Sequence, residues 1–140
     1  MNPRLFVLPA LAVLSIPALA GSPTASPKQT SAEAESPFAC NVQALTPQER
    51  KRHFEELGPM LRARKTGVRE LSDGYEFEFP ANPENYRLLS EWTFQERLCC
   101  PFFDLAIVLD REGGPLHLRL TGRPGTKAFI EEDAKPWLAR

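Results

Sequence analysis

The sequence predicts a single α+β domain in which helices pack against an antiparallel sheet of four strands. Residues 75–79 and 116–120 alternate apolar and polar side chains, with the period of a half-buried strand. Between them, residues 83–100 carry apolar side chains at helical spacing and are followed by a proline. With the flanking segments, these patterns predict the order α-β-β-α-β-β-α, which is typical of helices packed on an antiparallel sheet.

The first helix is predicted to begin at Thr46, whose hydroxyl can cap it, with Pro47 and Glu49 in the first turn. Its apolar stripe consists of Phe54, Leu57 and Leu61. Gly58-Pro59 interrupts this stripe, because proline removes a helical hydrogen bond and clashes with the preceding turn. The sequence therefore predicts a kink or two short helices at this point.

The remaining elements follow from turn and cap residues. Residues 68–71 and 75–79 form a predicted hairpin around Asp73-Gly74, a dipeptide that tight turns favour. Asn82 is the predicted cap of the next helix, which ends near Cys100 because Pro101 disfavours helical geometry there. Two strands and a short C-terminal helix are predicted to follow. The nearly continuous apolar run 102–109 indicates a central strand.

Charged residues on the predicted strands are assigned to solvent. Glu76 and Glu78 alternate with aromatic residues, so they are expected on the exposed face of their strand. His117 is likewise expected to be a surface residue. Asp104 lies within the apolar run 102–109 and Asp110 follows it, and neither has an evident partner. No catalytic constellation is therefore predicted, and the chain is not expected to be an enzyme.

The N-terminal part indicates export. Residues 1–20 combine Arg4, an apolar stretch and a small-residue cleavage site after Ala20, as a signal peptide does. Residues 21–37 are rich in Ser, Pro and Ala and predict a flexible linker, and residues 38–140 form the cysteine-containing domain. The expected location is therefore the periplasm or the extracellular space.

Charge excludes two classes of partner. The chain has 17 basic and 18 acidic residues, and loss of Arg4 with the signal peptide leaves the acidic residues in slight excess. No run of lysine or arginine lies outside the mixed region 50–65. Nucleic acid is therefore not an expected partner, and neither is a membrane beyond the export step.

The chain has three cysteines, Cys40, Cys99 and Cys100, an odd number for an exported domain. Three thiolates suit a soft metal ion of the mercury, arsenic or copper type, whereas structural zinc sites normally use four ligands. Glu96 lies one turn before the cysteine pair, where it can supply an oxygen ligand or orient a thiol. Arg97 is expected to anchor the helix through an ion pair.

Two alternatives use the same residues. In a thiol-disulfide exchange protein Cys40 would exchange with the pair, but a helix C-terminus beside Glu96 raises a thiol pKa and opposes such chemistry. In a structural or interaction domain, Cys40 and Cys100 form one disulfide and Cys99 belongs to the core. His53 and His117, the two imidazoles, are possible fourth ligands of a metal site, although no sequence pattern brings them to Cys100.

The segment from 40 to about 134 resembles a family of small bacterial domains associated with mercury or other heavy-metal resistance gene sets, sometimes beside metal-sensing regulators. The resemblance rests on the segments FACNVQALTPQER, DGYEFEFP, ERLCCPFF and LTGRPGTKAFI. It singles out Cys40, Glu96, Arg97, Cys99, Cys100 and Pro101. It favours an exported domain that sequesters a soft metal ion or transfers it to a metal-handling protein partner.

Overall fold

The structure, a computed structural model, describes residues 35–139 of the chain. The predicted signal peptide, its cleavage site and most of the predicted linker lie outside this range. Within this range no helix has both the length and the apolar composition needed to cross a bilayer.

The described residues form five α-helices and four strands. The helices are α1 (Pro47–Lys51), α2 (Gly58–Arg64), α3 (Pro83–Cys99), α4 (Thr126–Asp133) and α5 (Lys135–Leu138). The strands are β1 (Gly67–Glu70), β2 (Gly74–Phe79), β3 (Phe103–Leu109) and β4 (Leu116–Gly122). A π-helical segment, Arg52–Leu57, joins α1 to α2, and short 3₁₀ turns occupy Val42–Ala44 and Arg111–Gly113.

The four strands form one antiparallel sheet in the order β1-β2-β4-β3. Phe77 and Leu118 face each other across β2 and β4, and both are fully buried. Helices cover this face, and the Trp137 ring of α5 lies 5.4 Å from the ring of Phe77. The predicted α+β class and four-stranded antiparallel sheet are confirmed, with two short helices at the C-terminus where one was predicted.

The prediction that β3 is a central strand is wrong, because β3 pairs only with β4 and lies at the edge of the sheet. β4, which follows β3 in the chain, pairs with both β2 and β3 and therefore takes the central position instead. Leu105 and Ile107 are partly buried against the core, while Leu109 at the strand end is 61% exposed. The apolar run reflects one face packed on the core and not burial on both faces.

The first helical region is continuous through Gly58-Pro59. The Gly58 N–H donates to the carbonyl of His53, five residues earlier, which is the hydrogen bond of a π-helical turn. The wider turn accommodates Pro59, which has no N–H of its own. It also changes the buried face: His53 is buried and Phe54 is 43% exposed, although the sequence predicted Phe54 on the apolar stripe.

Glu76 is not on a solvent-exposed face as predicted, for its side chain is only 3% exposed. Arg69 and Arg119 lie directly opposite it on the two neighbouring strands, and each donates a hydrogen bond of 2.6 Å to its carboxylate. Burial acts to raise the pKa of Glu76, but the bonds from Arg119 and Arg69 hold it below its usual value. The arginine side chains cover a carboxylate that alternation alone assigns to solvent.

His117 and Asp110 also have partners that the sequence did not indicate. His117 Nε2 lies 3.1 Å from Asp110 Oδ2, and its Nδ1 lies 3.3 Å from Glu76 Oε1. His117 alternates along β4 with the buried Leu116 and Leu118, so its side chain is on the sheet face opposite the core. This placement removes His117 from the possible ligands of the cysteine site.

Candidate metal centre

The C-terminal end of α3 positions two of the three cysteines. The helix begins at Asn82, whose side chain accepts a 2.8 Å hydrogen bond from the Asn85 N–H, as predicted. Cys99 is its last residue. Cys100 has φ −123° and ψ 71°, outside the helical region, because Pro101 follows it. Cys99 and Cys100 therefore differ in backbone conformation, and the side chains of both are buried.

Cys40 is held against this helix end by the segment that precedes α1. The Asn41 N–H donates a 2.7 Å hydrogen bond to the Cys99 carbonyl. The Phe38 ring packs edge-on against Phe102 at 5.3 Å, and the Arg123 guanidinium lies over the Phe38 ring, 4.4 Å from its centre. These contacts bring an N-terminal segment back to residues that are 60 positions later in the chain.

Cys40 and Cys100 form a disulfide with their Cα atoms 4.7 Å apart, which is the pairing of the structural alternative. Cys99 is the free cysteine of the described residues and is fully buried. The three sulfur atoms nevertheless lie within 4.8 Å of one another. The structure therefore brings all three predicted ligands together, with two of them joined in an oxidised pair.

Solvent exposure differs strongly among the three cysteines. Cys40 is exposed, whereas Cys100 is 1% exposed and Cys99 is fully buried. A soluble reagent can therefore approach the disulfide from the Cys40 side. Burial, with a smaller contribution from the negative charge of Glu96, raises the pKa of Cys99 to about 11. In the oxidised domain this thiol is protonated at neutral pH.

Glu96, a predicted oxygen ligand or thiol-orienting group, is paired with a residue that sequence reasoning left unplaced. Its Oε2 lies 2.8 Å from Nε2 of His53, and both side chains are buried. The His53 ring is stacked on Trp92 at 5.3 Å. His53 Nδ1 is buried and has no hydrogen-bond partner among the described residues. The pair joins the π-helical segment to α3 close to the cysteines.

Arg97 points away from this cluster. Its side chain is exposed, and none of the ion pairs found within residues 35–139 includes it. The predicted anchoring ion pair is therefore not found in the described part of the chain. Arg97 instead lines a shallow groove with Phe94 and the edge strand β3, away from the sulfur atoms.

Comparison with models of protein families, with curated proteins and with solved structures finds no match for this chain. The functional assignment consequently depends on the geometry and chemistry of the site.

Proposed function

We propose that the reduced domain binds one soft metal ion through the thiolates of Cys40, Cys99 and Cys100. The observation that supports it is the convergence of three sulfur atoms within 4.8 Å. Three thiolates form a polarizable ligand set that suits arsenic(III), mercury(II) or copper(I). An exported domain with such a site would sequester the ion or transfer it to a metal-handling partner, in agreement with the family resemblance.

Binding requires that the Cys40–Cys100 disulfide be opened first. A dithiol reductant supplies two electrons and two protons, becomes a disulfide itself and leaves Cys40 and Cys100 as thiols. The ion then displaces the protons of the bound thiols, so metal binding is accompanied by proton release. A bound cation also overcomes the high pKa of Cys99, because its own charge stabilises the thiolate. The disulfide would thus be the oxidised, metal-free state of the same site.

The disulfide itself favours a second candidate function, that of a structural or interaction domain with one disulfide bond. The bond ties the segment before α1 to the end of α3, as disulfides of small exported domains often do. Thiol-disulfide exchange is less well supported. Cys99 is close to the disulfide, but its buried, protonated thiol is a poor nucleophile.

We expect the reduced domain to retain one ion per chain when it is titrated with As(III), Hg(II), Cu(I) and Zn(II) and observed by native mass spectrometry. Replacing both Cys99 and Cys100 by Ser removes two of three ligands, and tight stoichiometric binding should be lost. Leu98→Ser is a matched control, because it makes the same polar change at an exposed neighbour and leaves all thiols. If the reduced wild-type domain retains none of the ions, the metal site is contradicted and the structural or interaction domain remains as the candidate function.

A further inference from the structure

A cavity of about 190 Å³ lies against the cysteine cluster, and Cys40 forms part of its wall. Aromatic rings form much of the remaining wall, namely those of Phe54, Trp92, Phe103, Phe129 and Trp137. The two indole rings lie 4.9 Å apart, so they form a continuous apolar surface. A cavity of this size and lining suits a compact apolar group.

The two buried polar side chains of the cavity wall are bonded to each other. His53 Nε2 lies 2.8 Å from Glu96 Oε2, whereas Arg62 is half-buried and Asp133 is exposed to solvent. An uncharged group can therefore occupy the cavity without leaving a buried charge unpaired. A small hydrated ion gains little from aromatic walls, so the cavity has no evident use for an inorganic ion alone.

The geometry points to a substrate in which the soft element carries one apolar organic group, a monoaryl arsenic(III) compound. This inference rests on the proposed function, because the arsenic is held by cysteine thiolates. Cys40 and Cys100 bind the arsenic, and the aryl group enters the cavity beside Trp92 and Trp137. The cavity thereby contributes affinity for the organic group that the thiols alone do not provide.

The reaction is a ligand exchange without change of oxidation state. In an aryl arsenic(III) dihydroxide, two As–O bonds break as the two thiols lose their S–H protons. Two As–S bonds and two water molecules form, and arsenic remains trivalent. The aryl carbon occupies the third position on arsenic, which Cys99 occupies when inorganic arsenite is bound. Cys99 is therefore required for arsenite and dispensable for the aryl compound.

The reduced domain is titrated with sodium arsenite and with phenylarsine oxide, and binding is followed by tryptophan fluorescence and native mass spectrometry. The chain has two tryptophans, and both line the cavity, so their emission reports on its occupancy. Cys99→Ser should weaken arsenite binding strongly and leave the binding of phenylarsine oxide within a few-fold. Equal losses for both compounds would contradict the proposed division of roles.

A second variant tests the cavity itself. Ala134 lines the cavity, and Ala134→Phe should fill it, weakening phenylarsine oxide binding roughly tenfold or more while arsenite binding is unchanged. Ala106→Phe makes the same change at an exposed site on β3 and should alter neither affinity. Phe54→Ala removes part of the wall at a partly exposed position, and should weaken only the aryl compound if Ala134→Phe does not fold.

The same titrations distinguish a missing three-thiolate site from a cavity that does not bind the aryl group. If the reduced wild-type domain binds neither arsenic compound, the proposed three-thiolate site is overturned. If arsenite binds and the cavity variants leave phenylarsine oxide unaffected, the site stands and the cavity has no role in substrate choice.

Discussion

Replacement of Cys40 by Ser is expected to lower the free energy of unfolding of the oxidised domain by about 2–4 kcal/mol. The Cys40–Cys100 bond closes a loop with a sequence separation of 60, which restricts the unfolded chain far more than the folded one. Cys40 is exposed, so a serine hydroxyl at this position carries no burial penalty of its own. Urea unfolding measured by circular dichroism gives the difference.

The control for this prediction is the redox state. A dithiol reductant should lower the stability of the wild-type domain to that of Cys40→Ser and leave the variant unchanged. If the oxidised wild-type domain and the variant unfold at the same urea concentration, the bond does not hold the N-terminal segment against α3. That result would contradict both a stabilising role of the disulfide and a cluster of three sulfur atoms that the folded domain holds together.

The second large effect concerns the reactivity of Cys99. Its pKa of about 11 leaves a thiolate population at pH 8 that is roughly hundredfold below that of an ordinary cysteine. Alkylation of the oxidised domain by iodoacetamide should therefore be at least about a hundredfold slower than alkylation of the unfolded chain. Mass spectrometry reports on this residue alone, because the other two cysteines are in the disulfide.

The pH dependence has a defined sign. The folded state holds the Cys99 proton more tightly than the unfolded state, so this group contributes stability below the ordinary thiol pKa. That contribution is lost as the pH rises through about 11.

For the alkylation experiment, Leu98→Cys in a Cys99→Ser background is the matched control, since it moves the thiol to a position that is 42% exposed. Equal alkylation rates for the two thiols would show that Cys99 is not shielded.

Local signals in the sequence predicted much of the fold. The Thr46 hydroxyl cap and the Asn82 cap are formed as expected, and α3 ends where Pro101 follows. These features depend on residues a few positions apart, so the sequence contains all that determines them. The same holds for the burial of Tyr75 and Phe77 in β2, which their spacing predicted.

Features that depend on distant pairing were not predicted. The edge position of β3 follows from the pairing of β4 with β2, and an apolar run does not encode its neighbours. Glu76 is buried because Arg69 and Arg119 on two other strands cover it, which alternation within β2 does not reveal.

At the candidate site, too, the sequence identified residues but not their distant partners. Its three cysteines were identified from the sequence, and the structure brings their sulfur atoms together. His53 was left unplaced because its partner Glu96 lies 43 residues away and because a π-helical turn rotates it into the core. The choice between a disulfide and a metal site depends on redox conditions, which residue spacing does not specify.

The most direct test of the central claim is the number of sulfur atoms bound to one ion. X-ray absorption spectroscopy of the reduced domain loaded with one equivalent of arsenite should show three sulfur neighbours around arsenic in the wild-type protein. Cys99→Ser should reduce this number to two. A wild-type spectrum with oxygen neighbours in place of the third sulfur, unchanged by Cys99→Ser, would contradict a three-thiolate site.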